Sequence, residues 1–156
     1  MSVGAWVIAV GADSAGLPLK DAVKAMLEAD ERVKEVRDLG VHDGADETAY
    51  PHVGVAAGEA ISRGEVDRAL LCCGTGIGVA ISANKVAGVR ATVAHDPYSV
   101  ERSVLSNNCQ VLCFGARVIA PQLAVKLAGD WLGYDFDDTS PSAAKVAVIT
   151  DYEISC

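Results

Sequence analysis

Cys73-Gly74-Thr75-Gly76-Ile77-Gly78 holds the densest chemistry in the chain. Glycines let a backbone turn until its N–H groups converge on an anion. This run stands where an apolar segment gives way to a helical pattern, so a helix N-terminus would add positive potential. Cys73 is the last residue before the turn. A thiol in such a field ionises more readily, and a thiolate can act as a base. The structural alternative is plain: a strand cysteine is usually a small buried hydrophobe, and a glycine run is often only a tight turn. Position rather than identity singles out Cys73, while Cys72 should point to the opposite face and pack. A dinucleotide loop is the rival use of G-x-G. It fits poorly, because this loop follows the third strand and the third-glycine spacing of G-x-G-x-x-G is broken.

Other polar residues punctuate the ends of apolar runs. Asp13 follows the first of them, where a carboxylate can accept hydrogen bonds from the hydroxyls of a small ligand. Either Asp13 or Ser14 could instead cap the next helix. Arg117 lies just past the last strand and suits a phosphate, although exposed arginines are usually solvated. Asn107-Asn108 reads most simply as a turn, and Asn84-Lys85 as a helix end where Lys85 suits the dipole. The residues alone lead to a small-molecule site with an anion cradle and a thiolate base, and no further.

The elements that must position these groups alternate regularly. Strands are expected over Ala5–Val10, Val33–Leu39, Arg68–Cys73, Val89–Ala94 and Cys109–Phe114, most of them continuously apolar. Helical spacing covers Leu19–Ala29, Val53–Ser62, Gly78–Lys85, Tyr98–Leu105, Ile119–Leu132 and Ala143–Tyr152. Apolar strands alternating with helices predict a three-layer α/β/α, doubly wound sandwich around a parallel sheet of about five strands. Right-handed crossovers then bring every strand's C-terminal end to one edge, and with it Asp13, Cys73, His95 and Arg117.

Composition narrows the field. At 156 residues the expectation is one domain spanning 1–156. Thirteen basic against twenty-one acidic residues give a net charge of −8, which argues against nucleic acid as a partner. No apolar run is long enough for a membrane span, and the N-terminus lacks a basic export signal, so the expected location is the cytoplasm. Five cysteines without a C-x-x-C spacing, and three scattered histidines, suggest reduced thiols and no metal. No cofactor is called for.

Cys73–Ala91 as a whole (CGTGIGVAISANKVAGVRA) resembles the signature of the type B ribose-5-phosphate isomerase and galactose-6-phosphate isomerase family. The likeness extends through Gly11-Ala12-Asp13, Tyr50-Pro51-His52, Asp96-Pro97-Tyr98-Ser99, Ser106-Asn107-Asn108 and Phe114-Gly115-Ala116-Arg117-Val118, and so covers most of the chain. It implies a metal-independent aldose–ketose isomerase acting on a phosphorylated sugar through a cis-enediolate. Cys73 falls on the family's base, with Thr75 and the N–H groups of Gly74, Gly76 and Gly78 around the oxyanion. Asp13, Ser14, Tyr50 and Asn107 fall on substrate-binding positions. The family's sites lie at a dimer interface, which implies a homodimer, with a tetramer as the larger option.

Three departures bear on the substrate. Ser14 stands where the ribose enzymes have histidine, and Ser106 stands where they have the histidine assigned to opening the furanose ring. Their pair of C-terminal phosphate-binding arginines is missing from Ser140–Lys145, which leaves Arg117 and Lys145 as the cations for phosphate. A tetrose 4-phosphate has its O4 blocked and closes no furanose, so it needs no ring opening. The Asp-Ser-Ala-Gly and Leu-Ser-Asn-Asn runs also look like the tetrulose-phosphate isomerases of tetritol catabolism. The expected reaction therefore interconverts D-erythrulose 4-phosphate and D-erythrose 4-phosphate. Ribose 5-phosphate isomerisation is the alternative, followed by a subunit of a hetero-oligomeric galactose-6-phosphate isomerase or a non-catalytic nucleotide-binding module.

Overall fold

Apolar and helical segments alternate in a computed structural model that describes residues 5–156. The first half runs β1 (Trp6–Ala12), α1 (Leu17–Ala29), β2 (Val33–Asp38), α2 (Tyr50–Ser62), β3 (Arg68–Cys73) and α3 (Ile77–Ala83). The second half runs β4 (Ala91–Val93), α4 (Pro97–Leu105), β5 (Val111–Gly115), α5 (Pro121–Trp131) and α6 (Pro141–Ile154). Proline opens α4, α5 and α6, where its missing N–H costs no helical bond. The five strands form one parallel sheet in the order β2-β1-β3-β5-β4. None of the helices described is long and apolar enough to cross a membrane.

Strand side chains alternate between two cores, as the pleat requires. Ile8, Val10, Leu70, Cys72, Leu112 and Phe114 pack with Leu19, Val23 and Leu27 of α1 and with Leu127 and Trp131 of α5. Ala9, Ala69, Leu71, Cys73, Val111 and Cys113 face Val53 and Ala57 of α2 and Val79 and Ala83 of α3. Cys72 and Cys73 thus lie on opposite faces, as expected. Burial pushes the Cys72 thiol well up and the Cys109 thiol to about 11, so both are protonated packing groups at neutral pH.

The sheet reverses its winding between β1 and β3. The chain moves outward from β1 to β2, then crosses back over β1 to lay down β3. A crevice opens at such a switch point beyond the strands' C-terminal ends, and it is flanked here by Asp13 and the Cys73–Gly78 loop.

A buried ion pair secures the β1 side of this crevice. Lys20 of α1 is 1% exposed, and its Nζ donates to Asp38 Oδ1 at 3.0 Å and to the Val41 carbonyl at 2.5 Å. The same segment is tied to the end of β1 by Ala12 N to Gly40 O and Val41 N to Ala12 O, both 2.6 Å. Burial alone would raise the Asp38 carboxyl, but the Gly40 N–H and the Lys20 and Lys24 ammonium groups outweigh it and hold the carboxyl below its usual value. Its contribution to stability is therefore complete above the unfolded carboxylate value of about 4 and is lost as pH falls through the lower, folded value. Asp38→Ala strands a buried ammonium, and the expected loss is about 3 kcal/mol by denaturant unfolding at pH 7. The penalty should shrink below pH 4, where the wild-type protein also loses the pair.

Candidate active site

A cavity of about 420 Å³ occupies the crevice, lined by Asp13, Ala15, Tyr50, Cys73, Gly74, Thr75, Ile77, Gly78, Ile81 and Arg117. Its floor is the turn after β3. Cys73 Sγ accepts a hydrogen bond from the Gly76 N–H at 3.1 Å, which fixes the sulfur against the loop. Gly76 adopts φ +80°, a left-handed conformation that glycine enters without penalty, and the turn doubles back through it. The helix therefore starts at Ile77, one residue earlier than periodicity suggests. It ends at Ala83, so loop amides rather than a long helix dipole make the cradle.

Thr75 stands exposed at the rim, its Oγ1 accepting from the Ile77 N–H at 3.2 Å, which leaves the hydroxyl proton free to donate. Asp13 Oδ1 accepts from the Gly16 N–H at 2.9 Å. The turn role and the ligand role thus coexist, because Oδ2 has no protein partner among the described residues. Tyr50 begins α2 and lays its ring directly over Gly78, where a Cβ would collide with it. Arg117 is exposed and makes no ion pair among the described residues. Its guanidinium lies against Gly74, so close that a Cβ there would sit 2.8 Å from Nη1.

The turn after β5 is stitched to the turn after β3. Ala116 N donates to Cys73 O at 2.9 Å and Arg117 N to Gly74 O at 3.0 Å. The backbone of Arg117, the only cationic residue among the described residues that line the cavity, is thereby fixed relative to Cys73. In chemical terms the cavity offers a sulfur base, a hydroxyl donor, a carboxylate acceptor, convergent N–H groups and one guanidinium. That set can hold a small anionic polyol and move a proton within it.

Four residues expected at the site do not line this cavity within one chain. Gly76 lies beneath it and acts through its N–H. Ser14 is exposed beyond the Asp13 turn. Asn107 borders a larger cavity of about 660 Å³ beside β4, together with Asn84, Arg90, Arg102 and Glu153. Lys145 is exposed on α6, which is tied to the turn before β4 by the bond from Gly88 N to Glu153 Oε2 at 2.7 Å. β3 and β5 lie between β1 and β4, so Asn107, which borders the cavity beside β4, is set apart from Asp13 in the same chain. Ile77 and Ile81 also line the cavity, 54% and 56% exposed, and their only signal in the sequence is apolar residues four apart on one face of α3. Asn84 does more than end a helix: its side chain pairs with both backbone groups of Ala91, donating from Nδ2 to the carbonyl at 2.8 Å and accepting at Oδ1 from the N–H at 2.7 Å.

Residues 8–149 match the family model described as Ribose/Galactose Isomerase. The chain is 59% identical over 146 residues to D-erythrulose-4-phosphate isomerase 2 of Mycolicibacterium smegmatis, covering 94% of this chain and 96% of that protein. It is 43% identical to D-erythrulose-4-phosphate isomerase of Pectobacterium atrosepticum, covering 94% of each. The solved ribose-5-phosphate isomerase B of Clostridium thermocellum superposes with a TM-score of 0.89 at 35% identity, over 96% of this chain and 98% of that one. By sequence and by fold alike, the chain belongs to the ribose/galactose isomerase family.

Proposed function

We propose that the protein is an aldose–ketose isomerase of D-erythrulose 4-phosphate, with Cys73 as its base. The observation that carries the reading is Cys73 Sγ at the floor of the switch-point cavity, held by the Gly76 N–H with Thr75 and Arg117 alongside. The 59% identity to a protein named for this substrate favours the four-carbon sugar. The cysteine thiolate takes a proton from C1 of the ketose and leaves a cis-enediolate with its charge on O2. The thiol then returns the proton to C2 while O1 gives its proton to O2, so the aldose forms with no net gain or loss of atoms. Thr75 and the amides of Gly74 and Gly78 stabilise the developing oxyanion, which is where fixed donors contribute most. Asp13, with Tyr50 beside it, receives the sugar hydroxyls, and Arg117 takes the phosphate. Ser14 and Ser106, in place of the family's histidines, suit a substrate without a ring to open.

Asn107 and Lys145 reach such a site only from a second copy of the chain, in keeping with the dimer-interface sites that the resemblance implies. Exposed Ile77 and Ile81 at the cavity mouth, and Val148, Ile149 and Tyr152 on α6, supply apolar surface for that contact. A cytoplasmic homodimer acting in tetritol catabolism completes the reading. Ribose 5-phosphate is the second substrate to weigh, because the superposed Clostridium protein is named for it. Initial rates of the purified, EDTA-treated chain on each sugar phosphate test the proposal. Turnover of the tetrulose phosphate supports it, and inertness toward both sugars refutes it.

A further inference from the structure

His95 stands at the same sheet edge as Cys73, yet no step of the reaction uses it. β4 is the edge strand and is only three residues long, its ladder with β5 running from Ala91↔Val111 to Val93↔Cys113. β5 continues two residues further, to Gly115, whose N–H faces the side where the edge strand has run out. A buried N–H without an acceptor is costly. The His95 side chain supplies one: Nε2 lies 2.9 Å from Gly115 N, and the ring is half-buried and stacked on Phe114 at 6.1 Å between centroids. Because the peptide group is the donor, Nε2 must be unprotonated, and the ring proton of the neutral imidazole sits on Nδ1.

Gly115 is the contact between the two turns that build the cavity. A Cβ there would come within 2.7 Å of the Thr75 backbone, and one on Gly76 within 2.9 Å of the Phe114 carbonyl carbon. The next two residues carry the bonds from Ala116 N and Arg117 N to the carbonyls of Cys73 and Gly74. A shift of Gly115 therefore displaces Thr75 and Arg117 together.

We infer that His95 is a positioning residue: as a neutral acceptor it fixes Gly115 and, through it, the phosphate guanidinium and the oxyanion loop. Protonation would set an N–H against the Gly115 N–H and undo the lock. Burial holds the imidazole neutral to lower pH than a free one, with the Asp96 carboxylate opposing that effect. From β5 the ring is met by Phe114 and Gly115, neither of which titrates, and among the described residues Asp96 is the charged group that bears on it. The site should accordingly loosen on acidification below the ordinary histidine value of about 6.5.

This inference rests on the isomerase reading for its kinetic test but not for its structural one. In His95→Ala the KM for D-erythrulose 4-phosphate should rise roughly tenfold with a smaller change in kcat. In His95→Gln, whose amide oxygen can accept without titrating, most of the loss should be recovered. The substrate phosphate itself titrates near pH 6, equally for both proteins, so the readout is the ratio of wild-type to His95→Gln kcat/KM. That ratio should fall between pH 7 and pH 5. A flat ratio, or His95→Ala kinetics equal to wild type, overturns the inference. Amide hydrogen exchange at Gly115 separates the two readings: protection present in wild type, lost in His95→Ala and regained in His95→Gln upholds the lock even if neither sugar turns over. Should His95→Ala fail to fold, the wild-type against His95→Gln comparison decides alone.

Discussion

Cys73→Ala is expected to lower kcat by about 10² to 10⁴-fold while the protein stays folded, because a positioned general base contributes that much to a proton transfer. The variant removes the one thiol among the described residues that line the cavity. Asp13 gives Oδ1 to the Gly16 N–H and keeps Oδ2 for a sugar hydroxyl, and His95 is committed to Gly115. The side chain is 4% exposed, so its loss opens a space of one sulfur atom, which costs about 1 kcal/mol and lowers Tm by roughly 2–4 °C in a chain of this size. Circular dichroism and thermal melting should therefore stay near wild type while turnover collapses. Cys73→Ser keeps the shape but offers a far weaker acid, and it should be nearly as slow. A nucleotide-binding module would be indifferent to both changes, so kcat within about threefold of wild type would contradict the assignment of Cys73 as the base.

Arg117→Ala should act on binding more than on chemistry. Among the described residues Arg117 is the one cation lining the cavity, and it makes no ion pair with any of them. The phosphate is distant from C1 and C2, so its binding energy is shared by the ground state and the transition state and appears mainly in KM. Removing one member of a charge-assisted pair at a partly exposed site costs about 2–3 kcal/mol, which corresponds to a rise in KM of roughly 30- to 150-fold. Arg117→Lys keeps the charge but not the planar fork that lies over Gly74, and it should recover only part of that loss. An unchanged KM would mean that phosphate is met elsewhere, with Lys145 of a second copy the first place to look.

The regular elements were legible because their patterns are local. β3 falls on Arg68–Cys73 as expected, since six buried residues between Asp67 and Gly74 leave little choice of boundary. β4 shrank from Val89–Ala94 to Ala91–Val93, because an edge strand pairs on one side only and its length is set by the neighbour. The insertion of β5 between β3 and β4 is a pairing choice made across the sheet, and no local pattern encodes it. The site divides along the same line. Cys73, Thr75, Asp13 and Arg117 were recognisable from their places at strand ends, and the parallel topology gathered them. The separation of Asn107 from that group follows from strand order, which sets β4 at the far edge of the sheet. His95 was visible at a strand end, but its role depends on where a neighbouring strand stops, which is a fact of three dimensions.

Acidity takes its place in the same picture. A chain of net charge −8 binds a sugar phosphate through a few local donors rather than through its long-range field, which acts against the anion. With one guanidinium in the cavity, discrimination must come from the shape of the pocket and from hydroxyl contacts more than from charge.

The most direct test compares kcat/KM of the purified chain on D-erythrulose 4-phosphate and on ribose 5-phosphate under the same conditions. One carbon of chain length in a fitted pocket is worth about 10- to 200-fold, and Ser106 leaves the closed ring of ribose 5-phosphate without the family's ring-opening histidine. A preference for the tetrulose phosphate of about 10²-fold is predicted. Equal efficiencies, or a preference for ribose 5-phosphate, would contradict the four-carbon assignment.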